Sequence, residues 1–183
     1  KVYLNEELVR YRMAVFTLAK SNLRYAKLYR TEDSQSFVDA HINFFQYVGG
    51  VPKIMVYDNM KVAVKKFVGP TEKEATEALK KLAIYYGFNY RFCNAYSGNE
   101  KGHVENSVEF VRRKSFASKY KFTNHDEAEK RLNETIERIN KKNEEEIDKE
   151  KETLLALMPP YEAAIMVNLR VNIQYQIILL ENM

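Results

Sequence analysis

The first part of the chain carries two kinds of hydrophobic pattern in succession. Residues 10–18 and 23–29 are rich in β-branched and aromatic side chains and flank a Ser-Asn turn at 21–22, which predicts a β-hairpin. Between residues 37 and 48 the apolar positions recur at i, i+3, i+4 and i+7, which is typical of an amphipathic helix. We expect this helix to end at Gly49, because glycine is the usual residue just past a helix terminus.

The remainder of the chain alternates strands with helices. Residues 53–57 form a short apolar run, which predicts a buried parallel strand that ends directly before Asp58. Thr71 and Glu74 then have the spacing of a capping box at a helix start. This order favours an α/β domain with a mixed sheet, in which the hairpin is antiparallel and the later crossovers are parallel. The later elements are predicted as a helix at 71–86, a strand at 88–93, a polar loop at 94–102, and helices at 104–118 and 126–141.

The charge distribution is uneven and allows two readings. Residues 1–125 carry 21 Lys+Arg against 12 Asp+Glu, a net +9, whereas residues 126–152 carry 7 against 11, a net −4. A basic first part attracts polyanions such as nucleic acid. An ordinary domain with a basic isoelectric point accounts for the same numbers equally well.

Several features bound the class of protein. No apolar run reaches about 18 residues, so no transmembrane helix is expected. The single cysteine, Cys93, excludes an internal disulfide framework and a cysteine-based zinc site, and favours a reducing compartment. The chain starts at Lys1 without an initiator methionine or a signal-peptide pattern, and we interpret it as a piece of a longer protein.

Two carboxylates occupy positions that suit function. Asp58 follows an apolar strand, and sites in open α/β sheets form at the carboxyl ends of strands, although an Asp-Asn pair is also a common turn. Glu105 is predicted in the first turn of a helix, where an acid is also favoured simply by the helix dipole. Each residue alone leaves both readings open.

One face of the helix that carries Glu105 strengthens the functional reading. Glu105, Glu109 and Arg112 are spaced i, i+4 and i+7, while the valines of this helix lie on another face. Acids backed by Arg112, Arg113 and Lys114 suit phosphodiester chemistry. Carboxylate oxygens bind Mg²⁺, two such ions activate a phosphate for displacement, and basic side chains hold the phosphate backbone.

Three segments together resemble the IstA-type transposases of bacterial insertion sequences, within the retroviral-integrase-like DDE superfamily. They are Val56-Tyr57-Asp58-Asn59-Met60-Lys61, the stretch from Asn94 to Asn106 that contains Lys101-Gly102-His103-Val104-Glu105, and Val111-Arg112-Arg113. The resemblance covers roughly residues 10–162 in order and spacing. Asp58 and Glu105 are separated by 46 residues, which suits the insertion-sequence branch better than the retroviral integrases.

The resemblance implies an RNase H-like mixed sheet flanked by helices and an active site of three carboxylates. Asp58 matches the family's second acid and Glu105 the third, and together with the first they hold two Mg²⁺ or Mn²⁺ ions for transfer of a 3′ DNA end to target DNA. The family's first acid lies on a strand just before Lys1, so the chain is expected to be truncated at that strand and weak or inactive by itself. The candidate DNA-binding residues in and beside the motifs are Asn59, Lys61, Lys101, His103, Asn106, Arg112, Arg113 and Lys114.

The implied organisation has three parts. Residues 1–125 are predicted as the catalytic core, residues 126–160 as a helical extension and connector, and residues 161–183 as the start of a truncated small β-barrel. The resemblance further implies double-stranded DNA partners (transposon ends and target), a homo-oligomer, an ATPase helper protein, no membrane, and a place in the bacterial cytoplasm at the nucleoid.

Other readings remain at this stage. A non-catalytic RNase H-like module that binds nucleic acid or scaffolds an assembly is the main alternative, and a nuclease or ribonuclease H is another. His103 either contacts DNA or a metal-bound water, or packs the loop against its helix. His41 lies on the apolar face of the first helix and is interpreted as structural, as are most of the 13 Tyr and 10 Phe.

Overall fold

The computed structural model describes residues 1–58, 60–67, 73–93 and 98–161, and for 66–67 and 98–106 it describes the backbone alone. The strands are β1 (Val2–Leu4), β2 (Glu7–Val9), β3 (Arg12–Thr17), β4 (Arg24–Tyr29), β5 (Ile54–Tyr57), β6 (Val64–Phe67), β7 (Lys73–Ala75), β8 (Asn89–Phe92) and β9 (Lys121–Phe122). The helices are α1 (Ser34–Val48), α2 (Glu77–Tyr86), α3 (Gly98–Phe116), α4 (His125–Asn140) and α5 (Glu144–Lys151).

The predicted hairpin and first helix are both confirmed. β3 and β4 pair antiparallel along their whole length. The Asp33 side chain accepts a hydrogen bond from the Ser36 amide at 2.8 Å, which satisfies one of the amides that a helix start leaves without a partner. Gly49 ends α1 in the left-handed conformation, with φ 74°, which glycine adopts without the steric cost of a side chain. Local sequence chemistry therefore accounts for these three elements.

β5 confirms the predicted parallel strand but is buried on one face only. It pairs parallel with β8, with Tyr57 opposite Phe92. Met55 and Tyr57 are buried, whereas Ile54 is 58% and Val56 39% exposed. The apolar run predicted burial on both sides, which is wrong for this face, because β5 pairs with a neighbouring strand on one edge alone among the described residues.

The start of α2 differs from the prediction. Its N-cap is Thr76, whose hydroxyl accepts from the Leu79 amide, and not Thr71, which lies outside the described residues. Glu74, the other half of the predicted capping box, belongs to β7, which pairs antiparallel with β6. Pairing with a distant strand therefore takes the residues that the local pattern assigned to the first helical turn.

α3 begins earlier than predicted. The helix starts at Gly98, inside the segment that the sequence predicted as a loop, so Glu105 is its eighth residue and not part of its first turn. The reason is compositional: the added turn is polar and contains glycine, so it contributes no hydrophobic period to the sequence pattern.

A small three-stranded sheet was not predicted. β1 pairs antiparallel with β2 and parallel with β9, which lies more than 110 residues further along the chain. Strands of two or three residues are too short to show alternation, and this sheet depends on the approach of β9.

α4 packs against β4 and satisfies its outer edge. Ala128, Leu132 and Ile136 are buried in a cluster with residues of β1, β4 and α3. The Asn140 amide bonds to both backbone groups of Arg24, as donor and as acceptor, at 2.8 Å each. An edge strand exposes unpaired backbone groups, and here side chains of a helix pair with them in place of another strand.

The segment after α4 folds back onto the core. The Glu150 carboxylate accepts hydrogen bonds from the backbone amides of Lys20 and Ser21, in the turn between β3 and β4. Val51 and Leu155 form an antiparallel bridge beside Gly50. Nothing in these contacts tests the predicted division into a core, an extension and a β-barrel start, which stays a prediction. None of the helices in the described part of the chain combines the length and apolar character needed to cross a bilayer.

Candidate active site

Asp58 lies where the parallel pair of strands ends. Tyr57 is the last residue of β5, and its carbonyl accepts a hydrogen bond from the Cys93 amide, just past β8, at 2.8 Å. The Asp58 carbonyl accepts from the Met60 amide at 2.8 Å, so the chain turns away from the sheet directly after Asp58. The half-buried Asp58 is thus at the carboxyl edge of parallel strands, as the sequence predicted.

A groove with a volume of about 1900 Å³ runs beside Asp58. Every residue of β3 and β5 lines it, together with side chains of α1 and α3. β3 pairs only with β4 and β5 only with β8 among the described residues, so the free edges of both strands border this groove. The predicted mixed sheet is therefore present as two separate pairs, one antiparallel and one parallel.

α3 is held against β3 at this groove. The Thr17 hydroxyl, at the end of β3, lies 3.2 Å from the Ser107 hydroxyl of α3. The Arg24 guanidinium lies 4.6 Å above the ring of Phe110. Val111 is fully buried on the opposite side of the same helix turn. These contacts fix which face of α3 borders the groove.

The charged residues of α3 fall partly along the groove. Glu109 and Arg112 form an ion pair on the exposed side of the helix, and both line the groove, as does Arg113. Lys114 does not line it, and its ammonium lies 5.8 Å from the ring of Phe110. Lys61 lines a separate cavity of about 560 Å³. The structure thus brings Arg112 and Arg113 to the groove that Asp58 borders and places the two lysines elsewhere.

Five candidate residues cannot be located by side chain. Asn59 lies outside the described residues, and for Lys101, His103, Glu105 and Asn106 only the helical backbone is described. Within the part of the chain whose side chains are described, no group of three or more His, Cys, Asp or Glu is placed to hold a metal ion. The pairing of Asp58 with Glu105 therefore stays a prediction.

A buried pair connects α1 to the residue before Asp58. His41 Nε2 lies 2.8 Å from the Tyr57 hydroxyl, and His41 Nδ1 lies 2.7 Å from the Phe37 carbonyl oxygen. Burial lowers the pKa of His41 to about 4 and raises the pKa of the Tyr57 hydroxyl, so both groups are neutral near pH 7. The sequence indicated only that His41 lies on an apolar face, because a contact across 16 residues has no local signal.

The comparisons with known proteins agree with the coarser part of the resemblance. No family model matches the chain. Over 106 residues, 58% of this chain, it is 35% identical to the transposase for insertion sequences IS1326/IS1353 of Pseudomonas aeruginosa. Over 111 residues, 61% of this chain, it is 30% identical to the putative transposase for insertion sequence element IS5376 of Geobacillus stearothermophilus. The aligned regions span only 21% and 28% of these relatives.

The fold has a counterpart among solved structures. It is similar to a chain in the cryo-EM structure of the simian T-cell lymphotropic virus intasome in complex with PP2A regulatory subunit B56 gamma, with a TM-score of 0.56. The match covers 73% of this chain and 42% of that chain at 15% identity, so it bears on the fold alone. The predicted similarity to bacterial insertion-sequence transposases is confirmed, and the IstA type within them stays a prediction.

Proposed function

We propose that this chain is part of the catalytic core of an IstA-type DDE transposase with an RNase H-like fold. Its reaction is transfer of transposon 3′ ends to target DNA. The observation that carries the proposal is Asp58, at the carboxyl end of a parallel strand pair and beside a groove whose other side carries Arg112 and Arg113. The sequence similarity to insertion-sequence transposases supports the same reaction class.

The donor chemistry fits divalent metal ions. Asp58 supplies a carboxylate next to the groove, and Glu109, which lines the groove, is one helical turn after the backbone position of Glu105. Asp58 and Glu105 would hold the metal, because hard oxygen donors are the ligands that Mg²⁺ and Mn²⁺ prefer. Two such ions, when bound, polarise the scissile phosphate and stabilise the attacking and leaving oxygens.

The basic residues of α3 would hold the DNA backbone. Arg112 and Arg113 are exposed and line the groove, so phosphates that enter it meet guanidinium groups able to donate paired hydrogen bonds. The remaining candidates (Asn59, Lys61, Lys101, His103, Asn106 and Lys114) belong to the same proposal, with Lys61 and Lys114 outside the groove itself. Binding through phosphates predicts a steep fall in affinity as salt rises.

The groove also suits the strand that carries the remaining acid. Its borders are the free edges of β3 and β5, and Ile54 and Val56 of β5 are exposed beside it. Lys1 and Val2 line the same groove, so a segment that precedes them in a longer protein would start there. We place a strand of that longer protein between β3 and β5, where it would join both pairs into one mixed sheet and bring a third carboxylate toward Asp58.

The test is DNA joining by the longer protein that contains this chain. Asp58→Asn and Glu105→Gln are each expected to lower the rate of Mg²⁺-dependent joining of labelled DNA ends at least a hundredfold with unchanged folding, because each removes a metal ligand. Glu109→Gln is the matched control, since it neutralises an acid of the same helix that is paired with Arg112, and it should keep most of the activity. Full activity in Asp58→Asn would remove Asp58 from the site.

A second arm separates the enzyme from a non-catalytic module. Replacing Arg112 and Arg113 with Gln should weaken DNA binding and flatten its salt dependence in either case. DNA binding without any joining in the longer wild-type protein would favour a nucleic-acid-binding or scaffolding role. A homo-oligomer, an ATPase helper and the bacterial nucleoid as its location follow from the same proposal.

A further inference from the structure

His41 is a polar side chain in the centre of an aromatic cluster. It is only 1% exposed, and its ring contacts the rings of Phe16, Phe37 and Tyr57, at centroid distances of 4.9, 4.3 and 5.6 Å. An apolar residue at this position would avoid the cost of burying a polar ring. The position therefore indicates a task that packing alone does not require.

The two hydrogen bonds of His41 have a fixed direction. The Phe37 carbonyl is an acceptor only, so His41 Nδ1 carries the proton and donates to it. The neutral ring then has a bare Nε2, which accepts from the Tyr57 hydroxyl at 2.8 Å. The result is a chain of donors from Tyr57 through His41 to the backbone of α1, in which every polar atom has a partner.

This chain ends one residue before Asp58. Tyr57 is held at three points: its hydroxyl by His41, its carbonyl by the Cys93 amide, and its ring against Phe37 and Phe92. Successive strand residues point to opposite faces, so fixing the Tyr57 side chain on the α1 side sets the direction in which Asp58 leaves the strand. β5 lacks a ladder partner on its groove edge among the described residues, so this anchor replaces support that a second neighbouring strand would give.

We propose that His41 is a positioning residue that fixes Asp58 through the Tyr57 hydroxyl. The inference rests on the proposed function in treating Asp58 as a metal ligand, but the fixing of the strand end can be measured without metal. Sites that bind metal require ligands held by surrounding side chains, and truncating those supports weakens binding although no ligand is lost.

The experiment compares three variants of this chain. Tyr57→Phe keeps the ring and removes the hydroxyl, and His41→Leu removes the acceptor. His41→Gln offers an amide oxygen near the position of Nε2 and is the conservative variant that should restore the bond. Tyr86→Phe is the control, because Tyr86 is as buried as Tyr57 (4% and 5% exposed) and its hydroxyl also accepts a hydrogen bond, far along the chain from Asp58.

The first readout is hydrogen exchange of the Met60 and Cys93 amides, which report the turn after Asp58 and the end of β5. Exchange at both is expected to rise about fivefold to tenfold in Tyr57→Phe and His41→Leu, as loss of one buried hydrogen bond implies. It should return toward wild type in His41→Gln and stay unchanged in Tyr86→Phe. Equal exchange in Tyr57→Phe and wild type would overturn the inference, and so would an equal rise in the control.

The second readout is Mn²⁺ affinity, followed by the electron paramagnetic resonance of the free ion. Affinity should fall about fivefold or more in Tyr57→Phe and His41→Leu, recover in His41→Gln and vanish in Asp58→Asn. Affinity unaffected by Asp58→Asn would contradict the proposed function, while the exchange results would still decide whether His41 fixes this strand end. Altered exchange with unaltered Asp58-dependent Mn²⁺ affinity would overturn the positioning role.

Discussion

Asn140 tests whether α4 is an integral part of the core, because its side chain takes the place of a neighbouring strand for β4. Its Oδ1 accepts from the Arg24 amide, and its Nδ2 donates to the Arg24 carbonyl, at 2.8 Å each, and to the Tyr47 hydroxyl at 2.9 Å. The side chain is 9% exposed, so water has little access to these groups. Asn140→Ala would leave both backbone groups of Arg24 without that partner.

The expected loss follows from those two backbone groups. An unsatisfied buried donor or acceptor costs about 1–3 kcal/mol, and the lower end applies because Arg24 is half-buried. We therefore expect Asn140→Ala to lower the free energy of unfolding by about 2 kcal/mol. In a chain of this length that corresponds to a fall in Tm of roughly 4–8 °C. Asn140→Asp should cost at least as much, because a carboxylate oxygen would face the Arg24 carbonyl.

The assay is urea denaturation followed by far-UV circular dichroism, with thermal unfolding as a second measure. Asn133→Ala is the matched control, since Asn133 is an exposed asparagine on the same helix, and this change should be neutral or slightly stabilising because alanine is the better helix former. The difference between the two variants isolates the edge pairing. A midpoint for Asn140→Ala equal to that of Asn133→Ala would refute the claim that α4 closes this edge.

Three further changes test the core, the burial of a carboxylate and a close backbone approach, each by urea denaturation. Leu132→Ala should cost about 2–5 kcal/mol because this side chain is fully buried, and a loss under about 1 kcal/mol would contradict that packing. Burial raises the pKa of Glu129, so its charged form costs stability as pH rises through that pKa. Glu129→Gln keeps an acceptor for the Leu28 amide and should gain stability relative to wild type at about pH 7 but not at about pH 3, whereas a pH-independent difference would contradict this. Gly50→Ala should cost about 1–3 kcal/mol, because its Cβ would lie 2.8 Å from Leu154 Cβ, and an unchanged midpoint would exclude that contact.

Local chemistry explains the elements that the sequence predicted correctly. The β3–β4 hairpin has its apolar alternation and its turn within 18 residues, and α1 has an aspartate cap, a regular apolar face and a terminal glycine. Each signal involves residues close together in the chain, so no knowledge of the remaining fold is needed to interpret it.

The errors occurred where distant residues compete for the same segment. Thr71 and Glu74 satisfy the spacing of a helix start, but pairing of β7 with β6 takes Glu74 and moves the cap to Thr76. β1 exists as a strand because β9 reaches it from the other end of the core. In both cases hydrogen bonds to a strand elsewhere decide the local conformation.

The sequence by itself determined the class of the domain, the strand that ends at Asp58 and the similarity to transposases, because these depend on local periodicity and on contiguous motifs. Only the tertiary structure showed that His41 holds Tyr57, that Asn140 closes the edge of β4, and that β3 and β5 face each other across a groove. These features depend on side chains and strand edges that are far apart in the chain. No pattern along the sequence encodes them until the fold brings their atoms within hydrogen-bond distance.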